Sequence, residues 1–264
     1  MIGLCPLSSG SKGNCIYLGT ENCKILIDAG ISGRAAKAKL NEIGVDIEDI
    51  DAILITHEHG DHIRGAKVIS KRHNIPVLAN SETAKAIYYN TNEMLDFKIF
   101  TTGEDFEFKD LLIHPFSVQH DCADPVGFTI KTEGLKIGIC TDLGFASSLI
   151  KVYLRECDYL YVEANHQPEM VHASSRPYIY KQRVLSRCGH LSNAACGELI
   201  REVYHPNLKH IHLGHLSEEC NSPAKALDVI QGILDIQNIS VPMSIALQDK
   251  ISLPIKFEVC LQKN

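Results

Sequence analysis

Long apolar runs are absent from this 264-residue sequence. None reaches the roughly 18 residues that a transmembrane helix needs, so we expect no membrane partner. The first residues, Met1–Pro6, carry no basic group ahead of an apolar stretch, and we therefore expect no secretory signal peptide. The ten cysteines include no Cys-x-x-Cys pair. We read them as reduced and mostly buried thiols, which favours a cytoplasmic protein.

Several features of chain organisation are also missing. There is no internal repeat, low-complexity tract or Pro/Gly/Ser linker, so we predict one domain over residues 1–264. No Gly-rich strand-to-helix turn and no Walker-type phosphate loop occurs, which argues against a doubly wound nucleotide-binding fold. The net charge is −6, and proteins that coat nucleic acid are usually basic. Any contact with nucleic acid must therefore be a local patch.

Short apolar runs, which predict strands, alternate with amphipathic stretches, which predict helices. The strands come first in meanders and are then mixed with helices, an order that indicates packed sheets with helices outside. The predicted strands are Ile2–Leu7, Cys15–Leu18, Lys24–Ile27, Ala52–Ile55, Leu111–Val118, Gly127–Thr132, Lys136–Cys140, Tyr159–Glu163, Lys209–Leu213 and the tail region Ser244–Phe257, and the predicted helices are Arg34–Ile43, His62–His73, Glu82–Tyr89, Phe145–Arg155, Tyr178–Arg187, Asn193–Val203 and Ala224–Leu234.

One short segment carries much of the predicted chemistry. Thr56–His62, with the sequence THEHGDH, directly follows an apolar strand and holds four potential metal ligands. Residues two apart in extended chain point the same way, so His57 and His59 can bind one ion. Asp61 and His62 lie beyond a flexible glycine and can face a second ion. Imidazole and carboxylate ligands suit zinc, or manganese where oxygen ligands are more numerous.

Two metal ions need more ligands than this segment supplies. His120, Asp142 and His215 each follow a predicted strand, where a fold can aim a side chain into a shared cleft. The other pattern considered, the helical zinc motif His-Glu-x-x-His, fails because Asp61 stands where its second histidine belongs. We therefore take these three residues as the further candidate ligands.

The order of these residues resembles that of the metallo-β-lactamase superfamily, and the resemblance covers nearly the whole chain. It implies an α+β fold, the four-layer αββα sandwich, in which two sheets are flanked by helices. It also implies two divalent metal ions per chain, zinc or manganese. The ligands it implies are His57, His59 and His120 for the first ion, Asp61, His62 and His215 for the second, and Asp142 as the bridge between them.

Further motifs narrow the resemblance to the bacterial YycJ/WalJ group. The resemblance to this group implies a DNA exonuclease that works from 5′ ends. The related tRNA 3′-processing enzymes carry an inserted substrate-binding arm that is not found here, which disfavours tRNA processing. The motifs are Ser8–Asn14, Asp28–Gly30, His120–Asp121, Pro125–Gly127, Thr141–Gly144, Glu163–His166 and Gly189–Asn193.

The resemblance also implies a glutamate and a histidine that complete the site, at Glu163 and His190. As read from the residues alone, Glu163 could either cap a turn or orient the ring of His190. His190 itself could be an exposed loop residue. We assign both to catalysis, and we assign Ser192 and Asn193 of the same motif to substrate binding together with His190.

The glycine-rich loop Ser8–Asn14 allows two interpretations. Its backbone N–H groups could form a nest for a phosphate beside the metal ions. Alternatively, the loop is a tight turn between two strands. On the first interpretation we assign Ser9, Gly10 and Asn14 to substrate binding.

The stretch Met170–Gly197 contains no Asp or Glu in a chain that is acidic overall. It favours a polyanionic substrate, although a solvated basic helix face is the alternative. Arg183 and Arg187 are four apart and would share one face of a helix, so we assign both to substrate binding. Neighbouring tyrosines could stack on bases. The cations of the stretch are Arg176, Lys181, Arg183 and Arg187, and the tyrosines are Tyr178 and Tyr180.

These observations predict a metal-dependent phosphodiesterase that acts on nucleic acid, DNA more than RNA. Two ions would hold the attacking hydroxide, Asp61 would accept its proton, and His190 would bind or protonate the departing oxygen. Three alternatives remain at this point. They are a cyclic or other small-molecule phosphodiesterase, a thioester or lactam hydrolase of the same fold, and a non-catalytic metal-binding partner protein.

Overall fold

The structure, a computed structural model, describes residues 1–92 and 94–257. Within these ranges the chain forms two seven-stranded sheets. The first sheet contains β1 (Gly3–Ser8), β2 (Cys15–Gly19), β3 (Lys24–Ile27), β4 (Ala52–Leu54), β5 (Val77–Asn80), β6 (Phe97–Phe100) and β14 (Ile255–Lys256), and the second contains β7 (Phe106–Phe108), β8 (Leu111–Ser117), β9 (Val126–Thr132), β10 (Leu135–Cys140), β11 (Tyr159–Glu163), β12 (His210–Gly214) and β13 (Met243–Ile245).

Each sheet has an antiparallel half and a parallel half. The first sheet runs in the order β14-β1-β2-β3-β4-β5-β6 and is parallel from β3 to β6. The second runs β13-β12-β11-β10-β9-β8-β7 and is parallel from β10 to β13. β8 has the same direction as β10, because both pair antiparallel to β9. The carboxyl ends of β8, β10, β11 and β12 therefore meet at one edge of the second sheet.

Both faces of each sheet are buried. Alternate side chains along a strand enter different cores. On β3, Ile25 and Ile27 pack between the two sheets, whereas Leu26 faces the helices outside. Phe128 and Tyr161 reach the same inter-sheet core from the second sheet. The period of two along the strand separates these two cores. The predicted αββα sandwich of the α+β class is thus confirmed.

Helices cover the outer faces of both sheets. Helices α1 (Gly33–Glu42), α3 (Ala66–His73) and α4 (Ser81–Thr91) pack on the first sheet, and α5 (Ser148–Leu154), α8 (Asn193–Val203) and α9 (Pro223–Asp235) pack on the second. Of the helices within the described ranges, none combines the length and apolarity needed to cross a membrane. The helices are α1 (Gly33–Glu42), α2 (Gly60–Ile63), α3 (Ala66–His73), α4 (Ser81–Thr91), α5 (Ser148–Leu154), α6 (Pro168–Ala173), α7 (Tyr178–Val184), α8 (Asn193–Val203) and α9 (Pro223–Asp235).

Two predicted helices differ from the structure. The helix predicted over His62–His73 is interrupted at Gly65, because the backbone of the loop that follows β3 packs against this position. The amide of Gly65 donates to the carbonyl of Ala29 at 2.7 Å, and a Cβ at position 65 would lie 1.9 Å from the Ile31 carbonyl oxygen. The helix predicted over Tyr178–Arg187 ends at Val184.

Cysteines are distributed through the cores rather than paired. The nine cysteines within the described ranges are free, and seven of them are buried. Cys260 lies outside the described residues. Free thiols at these nine positions, seven of them buried, agree with the expectation that cysteine serves here mostly as a small apolar residue.

Candidate metal centre

Polar side chains follow the strands of both sheets and converge in the cleft between them. The segment His57–His62 follows β4 of the first sheet. His120, Asp142 and His215 follow β8, β10 and β12 of the second sheet, whose carboxyl ends share one edge. Their donor atoms form overlapping groups in which all atoms lie within 4.8 Å of one another. The structure thus brings together the seven side chains predicted as ligands.

The first donor group consists of His57, His59 and His120. The Nδ1 atom of His59 lies 3.2 Å from Nε2 of His120. Two nitrogens bound at about 2.0–2.1 Å to a tetrahedral ion are about 3.3–3.4 Å apart, so this spacing suits zinc. The ring of His57 stands edge-on to both others, with centroids 4.7 and 5.2 Å away.

The second donor group consists of Asp61, His62 and His215. Oδ2 of Asp61 lies 3.5 Å from Nε2 of His62 and 3.5 Å from Nε2 of His215. These separations are close to those expected for ligands of one ion. The group therefore has the donor types and the spacing of a second divalent metal site.

Asp142 lies between the two groups. One of its carboxylate oxygens is 3.3 Å from Nε2 of His62, and the other is 3.9 Å from Nε2 of His120. Its backbone φ is 54°, in the left-handed region that non-glycine residues rarely adopt, and His215 has the same φ of 54°. Such conformations cluster at functional sites because the surrounding structure must stabilise them.

Asp28 orients two of the histidines. Its carboxylate accepts a hydrogen bond from Nδ1 of His62 at 2.7 Å and another from the hydroxyl of Thr56 at 2.9 Å. The Thr56 hydroxyl in turn lies 3.0 Å from Nδ1 of His57 and accepts its proton. With the proton on Nδ1, Nε2 of each ring is the atom that can bind a metal ion. Such partners fix the tautomer and orientation of metal-binding histidines.

Glu163 has the same role on the opposite side of the cleft. Its Oε1 lies 2.8 Å from Nδ1 of His215 and 2.8 Å from Nδ1 of His190. Its Oε2 accepts the backbone amides of Leu143 and Leu191 at 3.1 and 3.0 Å. Although burial opposes it, contact with the two histidines lowers the pKa of Glu163. Because these four bonds occupy its oxygens, Glu163 is placed to orient the rings of His215 and His190.

Buried donor atoms without partners test whether metal ions fit here. Within the described ranges, the buried side-chain atoms that lack a hydrogen-bond partner include Nε2 of His57, Nε2 of His215 and Oδ2 of Asp142. Leaving a buried polar atom unpaired costs about 1–3 kcal/mol, so such atoms call for a partner. These three of the nine such atoms belong to the predicted ligand set. The residues present therefore fit divalent metal ions.

The electrostatics of the cleft also favour cations. Burial lowers the pKa of His57 well below its ordinary value and lowers the pKa of His120, which keeps both rings neutral and able to bind a metal. Although burial opposes it, neighbouring carboxylates, Asp142 foremost, raise the pKa of His62 and of His215 well above the ordinary value. The carboxylates thus draw positive charge, either a proton or a metal ion, to these two rings.

Comparison with known proteins agrees with this geometry. Residues 24–213 match the family model described as "Beta-lactamase superfamily domain". The chain is 34% identical to the exodeoxyribonuclease YycJ of Bacillus anthracis over 245 residues, which cover 92% of this chain and 93% of that protein. It is 37% identical to the exodeoxyribonuclease WalJ of Streptococcus pneumoniae over 219 residues, which cover 81% of each. The chain belongs to the YycJ/WalJ group of the metallo-β-lactamase superfamily.

A solved structure of the superfamily confirms the fold independently. The metallo-β-lactamase fold protein YhfI of Bacillus subtilis superposes with a TM-score of 0.72, over 94% of this chain and 97% of that protein, at 14% identity. Membership of the superfamily makes the chain a hydrolase, and the fold implies divalent metal binding. The resemblance seen in the sequence is thereby confirmed.

The glycine-rich loop Ser8–Asn14 does not form a phosphate nest. The amides of Ser9, Gly10, Lys12, Gly13 and Asn14 all donate to acceptors within the protein, at 2.7–3.0 Å. These N–H groups are therefore not available to a phosphate, and the loop is the tight turn of the alternative interpretation.

Two side chains of this loop support the metal centre. The buried hydroxyl of Ser9 accepts the backbone amide of His215 at 2.7 Å and pairs with the hydroxyl of Tyr161 at 2.6 Å. The side-chain amide of Asn14 lies 3.0 Å from Nε2 of His62 and 3.3 Å from Oδ2 of Asp61. Of the loop residues predicted to bind substrate, Asn14 thus reaches the second donor group, and Ser9 holds a ligand's backbone.

The cations of the stretch Met170–Gly197 are less available to a substrate than the sequence indicates. Arg183 forms a two-fold ion pair with Asp121, with one bond of 2.9 Å from Nη2. Arg176 pairs in the same way with Glu219. Because α7 ends at Val184, Arg183 and Arg187 do not share a helix face as predicted. Carboxylates from other parts of the chain thus neutralise two of the four cations.

The residues that follow His190 have structural contacts. The hydroxyl of Ser192 accepts the amide of Ala195 at 3.2 Å and caps the N-terminus of α8. Asn193 is completely buried, and its side chain exchanges hydrogen bonds of 2.9 and 2.8 Å with the side chain of Asn221. Their predicted role in substrate binding stays a prediction, and these contacts favour a structural role.

Sequence reasoning missed Asp28 and Thr56 as orienting residues. The signal was present, because Asp28 directly follows the apolar strand β3 just as Asp142 follows β10. Its φ of 59° adds a second left-handed carboxylate at the site. Spacing along the chain does not show that Asp28 meets His62, since the contact joins the segments that follow two neighbouring parallel strands.

Substituting Asp28 by Asn is expected to weaken metal binding without removing a ligand. The neutral amide accepts more weakly from His62 and Thr56, and loss of such a partner costs about 10–100-fold in metal affinity. Competition with a chromogenic chelator measures the change. The matched control is Asp110→Asn, because Asp110 accepts a similar bond from Thr20 at 2.6 Å away from the cleft. Equal affinities in the wild type and Asp28→Asn would show that the ring of His62 needs no such partner.

Proposed function

We propose that this protein is a metal-dependent exodeoxyribonuclease that removes nucleotides from the 5′ ends of DNA. The observation that carries the proposal is the pair of donor groups with Asp142 between them, in a chain whose relatives YycJ and WalJ are named exodeoxyribonucleases. Two ions clamped in one site are typical of phosphodiester hydrolysis. The nine free cysteines support a reducing compartment, and we place the protein in the cytoplasm.

Seven side chains would hold the ions. His57, His59 and His120 supply one site, the second donor group supplies the other, and Asp142 contacts both. Zinc or manganese fits this mixture of imidazole and carboxylate. When bound, the ions supply Lewis-acid stabilisation of charge on the phosphate and lower the pKa of water.

Two further side chains would carry the protons. The carboxylate of Asp61 is partly exposed in the cleft and would orient the attacking water and accept its proton. The ring of His190 donates through Nδ1 to Glu163 at 2.8 Å, which leaves Nε2 for the substrate. From there it would bind the departing side of the phosphate or give a proton to the leaving oxygen.

Digestion of end-labelled oligonucleotides tests the proposal. Single-stranded and double-stranded DNA and RNA, labelled at either end, are incubated with the protein loaded with zinc or with manganese. The expected result is stepwise shortening of DNA from the 5′ end. Bis-nitrophenyl phosphate, a cyclic nucleotide, a thioester and nitrocefin serve as comparison substrates. Faster turnover of a cyclic nucleotide than of DNA contradicts the proposal, and so does turnover of nitrocefin or the thioester alone.

Neutralising both arginines, in Arg183→Gln/Arg187→Gln, is expected to weaken binding of all DNA sequences alike. Phosphate contacts carry no sequence information, and each lost contact reduces the salt slope of single-strand binding by about 0.7. Because Asp121 already pairs with Arg183, we expect Arg187 to account for most of the change. Fluorescence anisotropy at several salt concentrations measures it, with Arg201→Gln on α8 as control. An unchanged slope in the double variant places the phosphate contacts elsewhere.

A further inference from the structure

An ion pair stands directly beside the first donor group. Asp121 follows the ligand His120, and its carboxylate accepts two bonds from the guanidinium of Arg183, the one from Nη2 at 2.9 Å. The oxygen that accepts Nη2 lies 3.5 Å from Nε2 of His120. Nδ1 of that ring bonds the carbonyl of Gly189 at 3.1 Å, so Nε2 is the atom that can bind a metal ion. A single carboxylate oxygen thus separates the guanidinium from a ligand atom.

Backbone contacts hold Arg183 at this position. It is the penultimate residue of α7, and the carbonyl of the last residue, Val184, accepts the backbone amide of His190 at 3.1 Å. A Cβ at position 189 would lie 2.2 Å from the carbonyl oxygen of Arg183, so a glycine is needed where the two backbones touch. The end of α7 is therefore packed against the proposed acid and against the residue that bonds the ring of His120.

The guanidinium of Arg183 can bind a second anion. Asp121 takes Nε and one N–H of Nη2, whereas a guanidinium has five N–H groups, and 48% of this side chain is exposed. Exposed ion pairs stabilise a fold very little, so stability does not explain this one. Arg187 is engaged differently, because its guanidinium carbon lies 4.3 Å from the ring centroid of Phe145. Arg183 is thus the arginine that the structure ties to the first donor group.

We propose that Arg183 is a catalytic residue that donates to an oxygen of the scissile phosphate, and that Asp121 is the positioning residue that holds it there. The inference rests on the proposed function and adds a residue to its mechanism. An arginine fixed in advance stabilises charge on the phosphoryl oxygens in the transition state without having to reorganise. Lysine could not replace it, because only the planar guanidinium can bind a carboxylate along one edge and a phosphate oxygen along another.

Arg183 is expected to act on turnover more than on DNA binding. Asp121 balances its charge, so the pair adds little to the general attraction between the protein and DNA. Replacing Arg183 by Ala should lower kcat about 10²–10³-fold, as loss of one donor to a reacting oxyanion does. Affinity for a DNA duplex protected by 5′ phosphorothioate linkages should change at most about tenfold, as for one phosphate contact. Metal content should stay that of wild type, since Asp121 is in none of the donor groups found among the described residues.

The test compares Arg183→Ala, Arg183→Lys and Asp121→Asn as metal-loaded proteins, on end-labelled DNA and on bis-nitrophenyl phosphate. Arg183→Lys should lose nearly as much turnover as Arg183→Ala. Asp121→Asn should lose less, with KM unchanged, because its amide oxygen still accepts one bond. Millimolar guanidinium should restore part of the turnover of Arg183→Ala, which a merely structural arginine would not show. Arg201→Ala, which breaks an ion pair with Glu198 of 2.7 Å on α8, is the matched control.

The inference is overturned if Arg183→Ala turns over within about tenfold of wild type, or if guanidinium restores nothing. Loss of a metal ion from Asp121→Asn also overturns it, because Asp121 would then be a ligand. Neither result affects the exodeoxyribonuclease activity of wild type. If wild type hydrolyses bis-nitrophenyl phosphate but not DNA, the proposed function fails, and the ester still decides the role of Arg183 by the same comparison. Hydrolysis of neither substrate refutes both.

Discussion

Replacing His190 by Ala is expected to lower turnover by about 10²–10⁴-fold, the usual contribution of a positioned acid or base, with both metal ions retained. The expectation follows from the contacts of the ring. Its Nδ1 is bound to Glu163 at 2.8 Å, and the seven proposed ligands supply both donor groups without it. The ring is 15% exposed and lies 5.1 Å from His120 and 5.2 Å from His215, between centroids.

Three measurements distinguish an acid role from a ligand role. Metal analysis of His190→Ala should show the wild-type content, and kcat and kcat/KM should fall together, which marks an interaction made in the transition state. The loss should shrink for a nitrophenyl ester, because a good leaving group needs little protonation. His210→Ala is the control, since that ring bonds Ser244 at 2.8 Å and His210 lies at the opposite end of β12 from His215. Loss of a metal ion from His190→Ala, or turnover at the wild-type rate, would show that the assignment is wrong.

The structure changes what is expected of Glu163. The sequence predicts that it orients His190 alone, but its Oε1 also holds Nδ1 of His215 at 2.8 Å. Its Oε2 meanwhile fixes the backbone next to Asp142 through the amide of Leu143. A Glu163→Gln variant therefore affects both the acid and the second metal site. It is a poor probe of the acid role, which is why His190 itself is the residue to substitute.

The sequence predicted best those site residues that lie close together along the chain or that follow a strand. The ligands of the segment His57–His62 are visible because they crowd directly after an apolar strand, and Asp142 and His215 share that strand-end position. The order of residues shows where a strand ends, even when the neighbours of that strand in the sheet are unknown. The fold class followed from the same alternation of elements, supported by the resemblance.

Residues whose role depends on distant partners were not predictable in this way. Ser9 bonds the backbone of His215, and Arg183 bonds Asp121, across large separations along the chain that no spacing rule covers. Strands β5 (Val77–Asn80), β6 (Phe97–Phe100) and β7 (Phe106–Phe108) were also missed. Strand β6 lies at the edge of its sheet, and two of its four residues are exposed. Its side chains therefore lack the alternation that marks a half-buried strand.

The second prediction with a large expected effect concerns Asp142, which lies between the two donor groups. In Asp142→Ala we expect fewer than two ions per chain and a loss of turnover of at least about 10³-fold, because several kcal/mol of charge stabilisation depends on both ions. Asp142 contacts His62, His120 and His215 but supports no strand pairing, since it follows β10. Circular dichroism should therefore stay near that of wild type.

The control for this variant removes an aspartate with a comparable partner elsewhere. Asp105 bonds Nδ1 of His114 at 2.6 Å on the far part of the second sheet, and Asp105→Ala should keep the full metal content. Removing Asp142 also removes negative charge that raises the pKa of His62 and His215, opposing burial. Without that carboxylate a metal cation beside those two rings is also stabilised less, so any ion that remains should be held by the imidazoles of the first donor group. Metal analysis showing two ions in Asp142→Ala would mean that the two groups bind independently, without a bridging carboxylate.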